Sequence, residues 1–199
     1  MSFLNPKSTI LLVCDLQLRF RSAICGFDHV VATANKMVKV AKLVGCEVVA
    51  SEQKAQVFGP TVPEVGLDSL GPVLITKYDK TLFSMLTKDL DNVLEARPSV
   101  KDVILLGIES HVCVLQTALD LRARGMGVHV LSDGVSSINR QEVAPALELI
   151  RQHGGFVTTS ESISFRLMRD ASASNFKDFA NLIKEEKERT KSTMEALSS

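Results

Sequence analysis

A three-layer α/β/α domain on a mostly parallel, Rossmann-like sheet of about six strands is the fold class this sequence predicts. Short apolar runs of strand length recur along the chain, rich in Val, Ile and Leu and without polar alternation, as strands covered on both faces require. Helical patterns lie between those runs, so neighbouring strands must pair in parallel through right-handed crossovers. Polar, chemistry-bearing residues follow the first four runs, and open α/β sheets bind their ligands at the carboxyl ends of the strands.

Taken in order, strands are expected at residues 8–14 (STILLVC), 46–50, 72–76, 102–108, 128–131 and 155–158. Between the first two, Val30, Ala34, Met37, Ala41 and Val44 repeat at helical spacing, and Gly45 follows as the residue that closes the helix. The connection 51–70 carries Gly59-Pro60 and Pro63 and is long enough to act as a binding loop. A second helix is expected over 111–124, where Val114, Ala118 and Leu121 form one stripe beside Leu115 and Leu119. Arg122 and Arg124 favour its last turn, with Gly125 beyond. A third covers 142–153, with Pro145 placed where proline is tolerated, in the first turn. Residues 184–199 turn from charged to small and polar, which reads as a helix fraying into a mobile tail.

With 199 residues and 45% hydrophobic content, the chain can bury one sizeable core, so residues 1–199 are read as a single domain. Lys plus Arg and Asp plus Glu number 23 each, and this zero net charge offers no global field for nucleic acid or an anionic membrane. No stretch has transmembrane length, and the first residues lack a secretory or transit pattern; a soluble cytoplasmic protein is expected. Cys14, Cys25, Cys46 and Cys113 form no C-x-x-C pair, so a structural metal is not expected, and scattered free thiols fit a reducing compartment; no cofactor is expected.

The chemistry sits at the strand ends: Asp15 after the first run, Ser51-Glu52-Gln53 after the second, Lys77 and Lys80 after the third, Glu109 to Cys113 after the fourth. A cysteine in the first turn of a helix meets unpaired N–H groups and the positive end of the macrodipole, both of which favour thiolate. Asp15 could take its proton, and a lysine could hold the resulting charges. Singly, each has a plainer use: Cys113 as a small buried hydrophobe, Asp15 as a turn residue, Lys77 and Lys80 as solvated charges. Their coincidence on one side of the sheet is what favours a site. His29, His129 and His153 have ordinary packing or dipole roles, and His111 points away from Cys113 on a helix. Phe20, Phe58 and Phe83 either wall the pocket or pack in the core.

Four stretches resemble the isochorismatase-like cysteine hydrolases, and within them the isochorismatase domain-containing subgroup: LLVCDLQLRFRSAI (11–24), SEQKAQVFGPTVPEVG (51–66), KTLFSM (80–85) and GIESHVCVLQTALDL (107–121). The resemblance spans about residues 9–162. It implies the isochorismatase-like hydrolase fold, with Asp15 as general base, Lys80 in preference to Lys77, and Cys113 as nucleophile. Gln17, Phe20, Glu52, Gln53 and Phe83 would lie against substrate. It also implies a cis peptide between Ile108 and Glu109, with the amides of Glu109 and Cys113 as oxyanion hole; a Ser110 hydroxyl capping the Cys113 amide would compete with that use. Where a nicotinamidase-like D-x-H metal motif would stand, the chain has Ser51-Glu52-Gln53, which disfavours a metal. Isochorismatase proper lacks the nucleophilic cysteine, so Cys113 argues for cleavage of an amide or related acyl bond in a small-molecule substrate, by a homo-oligomer. Two other classes stay open: a non-catalytic binding or scaffold protein on the same fold, and a nuclease or RNA-associated role, although no nucleic-acid partner is expected from charge.

Overall fold

Residues 4–197 are described by the structure, which is a computed structural model. Its sheet comprises β1 (Thr9–Cys14), β2 (Glu47–Gln53), β3 (Leu74–Lys80), β4 (Asp102–Ile108), β5 (Gly127–Ser136) and β6 (Phe156–Thr158). They lie in the order β3-β2-β1-β4-β5-β6, every pairing parallel. The helices are α1 (Phe27–Val44), α2 (Ala55–Phe58), α3 (Lys88–Glu95), α4 (Leu115–Ala123), α5 (Val143–Gln152), α6 (Ser160–Met168), α7 (Phe176–Glu185) and α8 (Lys187–Leu197).

The unbroken burial of β1 and β4 has a direct cause, since alternate side chains enter two separate cores. Leu11 and Val13 of β1 pack with Val30 and Met37 of α1 and Ile163 of α6, whereas Ile10 and Leu12 pack with Leu90 of α3, Ala118 and Leu121 of α4 and Ile150 of α5. Helices on both faces therefore complete three layers. Chain order reverses between β1 and β4, where crevices form in doubly wound sheets.

Strands run further than their apolar cores. β2 continues through Ser51, Glu52 and Gln53, and β3 starts two residues late and includes Lys77 and Lys80, because Ser51 pairs with Cys14 and Gln53 with Lys80 in register. Of the helical or mobile tail expected after residue 184, the described residues are helical. Residues 187–197 form α8, which docks on α1 through Lys36 Nζ donating to Thr190 Oγ1 at 2.8 Å, and a Lys39–Glu186 ion pair at 2.6 Å ties down the residue before it. A buried lysine with a specific acceptor fixes that helix where composition alone suggested fraying. No described helix is long and apolar enough to cross a membrane.

One glycine fastens β4 to β1. At φ 144°, a Cβ added to Gly107 would stand 2.2 Å from the Cys14 carbonyl oxygen and 2.6 Å from the Cys14 Cβ. Gly107→Ala must push the two central strands apart and strain the backbone, so a loss of about 3 kcal/mol is expected in urea unfolding. An unchanged midpoint would refute that tight contact.

Candidate active site

Both central strands end in a left-handed residue: Asp15 and Glu109 each have φ 56°. Non-glycine residues seldom adopt that conformation, and it persists where surrounding structure enforces it. Here it turns the chain sharply at the crevice between β1 and β4. The expected cis bond between Ile108 and Glu109 is corrected: the described peptide bonds are all trans, and the reversal is made by the positive φ of Glu109.

Beyond Glu109 the chain makes a π-turn, Ser110–Val114, before α4 begins. The Glu109 carbonyl accepts from the amides of Val112 and Val114, one on either side of Cys113, at 2.9 and 3.3 Å. Ser110 does not cap the helix, since its buried hydroxyl has no hydrogen-bond partner among the described residues. The Cys113 amide is therefore not diverted to it. Thr117 fastens the turn from below, donating to the Cys113 carbonyl at 2.6 Å and accepting from the Met85 amide at 2.8 Å.

Asp15 and Lys80 form a buried ion pair of 2.8 Å, with side chains 2% and 0% exposed. Ser51 Oγ donates to the other carboxylate oxygen at 2.7 Å. The Lys80 ammonium also reaches Gln53 Oε1 at 2.7 Å and the carbonyls of Leu82 and Phe83 at 3.2 and 2.9 Å. Burial opposes its charge, but Cys14, Asp15 and Cys113 outweigh that and hold its pKa above the usual lysine value. Lys77 goes elsewhere, pairing with Glu52 at 3.0 Å.

Asp15, Cys113, Phe20, Gln53 and Phe83 line one cavity of about 510 Å³. Two other expected substrate contacts, Gln17 and Glu52, are not on its wall. Gln17 donates to the carbonyls of Gln53 and Gly59 at 3.1 and 2.7 Å and accepts from the Gln53 amide at 2.7 Å, so it staples the loop to the sheet. Glu52 accepts from the amide and hydroxyl of Thr61. Both side chains satisfy backbone groups of a long connection, which leaves them no face toward a ligand.

Several lining groups escaped the sequence reading as pocket residues: Lys54, Val57, Thr81, Val112 and the side chain of Glu109. Phe58 stacks on Phe20 with ring centroids 4.5 Å apart. Helical turn α2, which places Val57 and Phe58, is too short for periodicity to reveal. Cys14 was missed too. The neighbouring Cys113 side chain, together with burial, keeps the Cys14 pKa well above the ordinary thiol value. The signal was a cysteine immediately before the strand-ending aspartate.

The four thiols are thus set apart. Cys14 and Cys46 are buried, with Cys46 pushed up to about 12 by desolvation, while Cys113 faces the cavity and Cys25 is exposed. Brief alkylation near neutral pH should label Cys113 and Cys25 and spare the other two, as read by peptide mass spectrometry. Labelling of Cys46 ahead of Cys113 would contradict this arrangement.

Comparison with known proteins follows the same residues. The Isochorismatase domain signature matches residues 9–162. Isochorismatase domain-containing protein 2A of Mus musculus is 43% identical over 180 residues, which cover 90% of this chain and 84% of that protein. A solved structure described as the MAR1 ribonuclease from Caenorhabditis elegans is 35% identical, with a TM-score of 0.83 over 92% of this chain and 93% of that one. The YcaC gene product of Escherichia coli, described as an octameric hydrolase of unknown specificity, shares the fold at 20% identity. Its TM-score is 0.84, with 98% and 95% of the two chains covered.

Proposed function

This chain belongs to the isochorismatase-like hydrolase family, and from that membership we propose that it is a cysteine-dependent hydrolase of small amides or related acyl compounds, acting through a thioester. The observation that carries this reading is a solvent-reachable cavity shared by Cys113 and Asp15, whose carboxylate is held by a fully buried Lys80. Asp15 takes the Cys113 proton, and the thiolate attacks the carbonyl carbon. The amides of Cys113 and Glu109 stabilise the developing oxyanion. As the C–N bond breaks, Asp15 returns the proton to the leaving amine. A water then gives a proton to Asp15 and attacks the thioester, releasing the acid and the thiol. Two neighbours face the thiolate once it forms: the Lys80 ammonium and the Cys14 thiol, whose raised pKa keeps it protonated.

The mechanism assigns no step to a metal, because Glu52 and Gln53, where a metal motif would stand, are already engaged with Thr61, Lys77 and Lys80. A homo-oligomer is part of the proposal, with the octameric assembly of the E. coli protein of the same fold as its precedent. The test is a screen of small amides against the wild-type protein, with intact-mass detection of an acyl adduct on Cys113. Absence of turnover and adduct across a broad panel would refute the reading and favour a scaffold role.

A second reading has one observation behind it, the ribonuclease description of the 35% identical nematode structure. RNA cleavage that survives Cys113→Ala in purified protein would favour it. A cavity walled by Phe20, Val57, Phe58 and Phe83 suits a small apolar acyl group better than a phosphodiester backbone.

A further inference from the structure

Glu109 contributes more than its backbone to the cavity. Its carboxylate lines the wall beside Cys113, and its side chain is 16% exposed. Oε2 is buried and takes no hydrogen bond from any described residue. His111 Nδ1 stands 3.5 Å away without hydrogen-bonding geometry and lies closer, at 3.2 Å, to Ser137 Oγ. Burial raises the Glu109 pKa, with His111 and the Ile138 backbone working against the rise. A buried oxygen without a partner is costly unless a bound group completes it.

The other charges near the cavity do not fill that role. Asp15 and Lys80 neutralise one another within 2.8 Å. Lys54 belongs to the lining, but its side chain is exposed to solvent. Apart from Glu109 itself, Asp15, Gln53, Lys54 and Thr81, the wall is apolar and aromatic, with the stacked pair Phe20 and Phe58 and the half-exposed Phe83. Aromatic faces and a buried carboxylate oxygen that receives no hydrogen bond both attract a cation, and neither suits an anion.

We propose that Glu109 sets substrate specificity, by receiving a cationic nitrogen carried on the apolar body of the amide that Cys113 attacks. The substrate class is therefore an amine-bearing amide, and Glu109 is a binding residue whose carboxylate stays outside the bond-breaking steps. This inference rests on the cavity being the substrate site.

The test measures binding to the Cys113→Ala protein at about pH 8, well above the ordinary carboxylate range. Three probes of matched size are titrated by calorimetry: phenethylammonium, phenethyl alcohol and hydrocinnamate. The cation is expected to bind roughly tenfold tighter than the neutral alcohol, and the carboxylate weakest of the three. Adding Glu109→Gln should level cation and alcohol, whereas Glu109→Asp, which keeps the charge, should retain part of the gap. Equal affinities, a preference for hydrocinnamate, no saturable binding of any probe, or a gap untouched by Glu109→Gln would each overturn the proposal. The probe ranking on the Cys113→Ala protein stands even if the glutamine variant does not fold. Because binding needs no turnover, an inert thiol would sink the hydrolase reading alone. Flat binding beside a normal acyl adduct would sink only this one.

Discussion

Cys113→Ala is expected to lower amide turnover by about a thousandfold or more and to abolish the covalent adduct, while the protein stays folded. The substitution removes a sulfur on the cavity wall, and Cys113 is only 6% exposed within a well-packed cluster. Its cost to stability should be small, on the order of 1 kcal/mol, because one sulfur atom leaves a small void that opens toward the cavity. Activity and stability therefore separate cleanly, and steady-state rates beside a thermal unfolding curve read both. Retention of more than about a tenth of the rate would mean that water, activated elsewhere, is the nucleophile.

Lys80→Met carries the second large effect, and it should strike folding and activity together. The Asp15 carboxylate lies 2% exposed, 2.8 Å from the ammonium. Methionine fills the space but leaves Asp15 with Ser51 alone, together with the freed acceptors at Gln53, Leu82 and Phe83. Breaking a buried pair from one side costs about 3–5 kcal/mol. Turnover should fall by about a hundredfold or more, since Asp15 loses the partner that positions it as the base. Adding Asp15→Asn to the methionine variant should restore part of the stability without restoring turnover. If the single variant melts within about 1 kcal/mol of wild type by urea titration, the ion pair is not the support described above.

Much of this architecture can be read from the order of residues. The run 102–108 coincides with β4, because seven consecutive buried positions admit no other short element. β1 is nearly as clear. Asp15, Lys80 and Cys113 were legible from strand ends together with motif resemblance, and the structure brings them to one crevice. What remained hidden depends on pairing across the chain. That Lys80 enters the site while Lys77 leaves it is settled by the register of β3 against β2 and by the acceptors each ammonium meets. Gln17 and Glu52 looked like ligand contacts because they flank the right strands, yet both are consumed by loop backbone that no spacing rule foresees. The reversal at Glu109 came from a left-handed residue in place of a cis bond, and side-chain patterns carry no mark of either. How far the C-terminal helix extends was not legible, because the contacts that dock it and the residue before it, from Lys36 and Lys39, lie some hundred and fifty residues earlier.

The ammonium of Lys80 holds the carbonyls of Leu82 and Phe83, and the Phe83 ring stands at the open rim. Mouth and charge are thus parts of one lever. A guest that shoulders the ring aside is expected to pull on the ammonium that holds the Phe83 carbonyl, and through its pair with Asp15 to reach the wall beside the sulfur. An inert aromatic guest should accordingly alter how fast a tiny electrophile captures that sulfur, beyond what simple blockage explains; a strictly competitive pattern would show the lever to be slack.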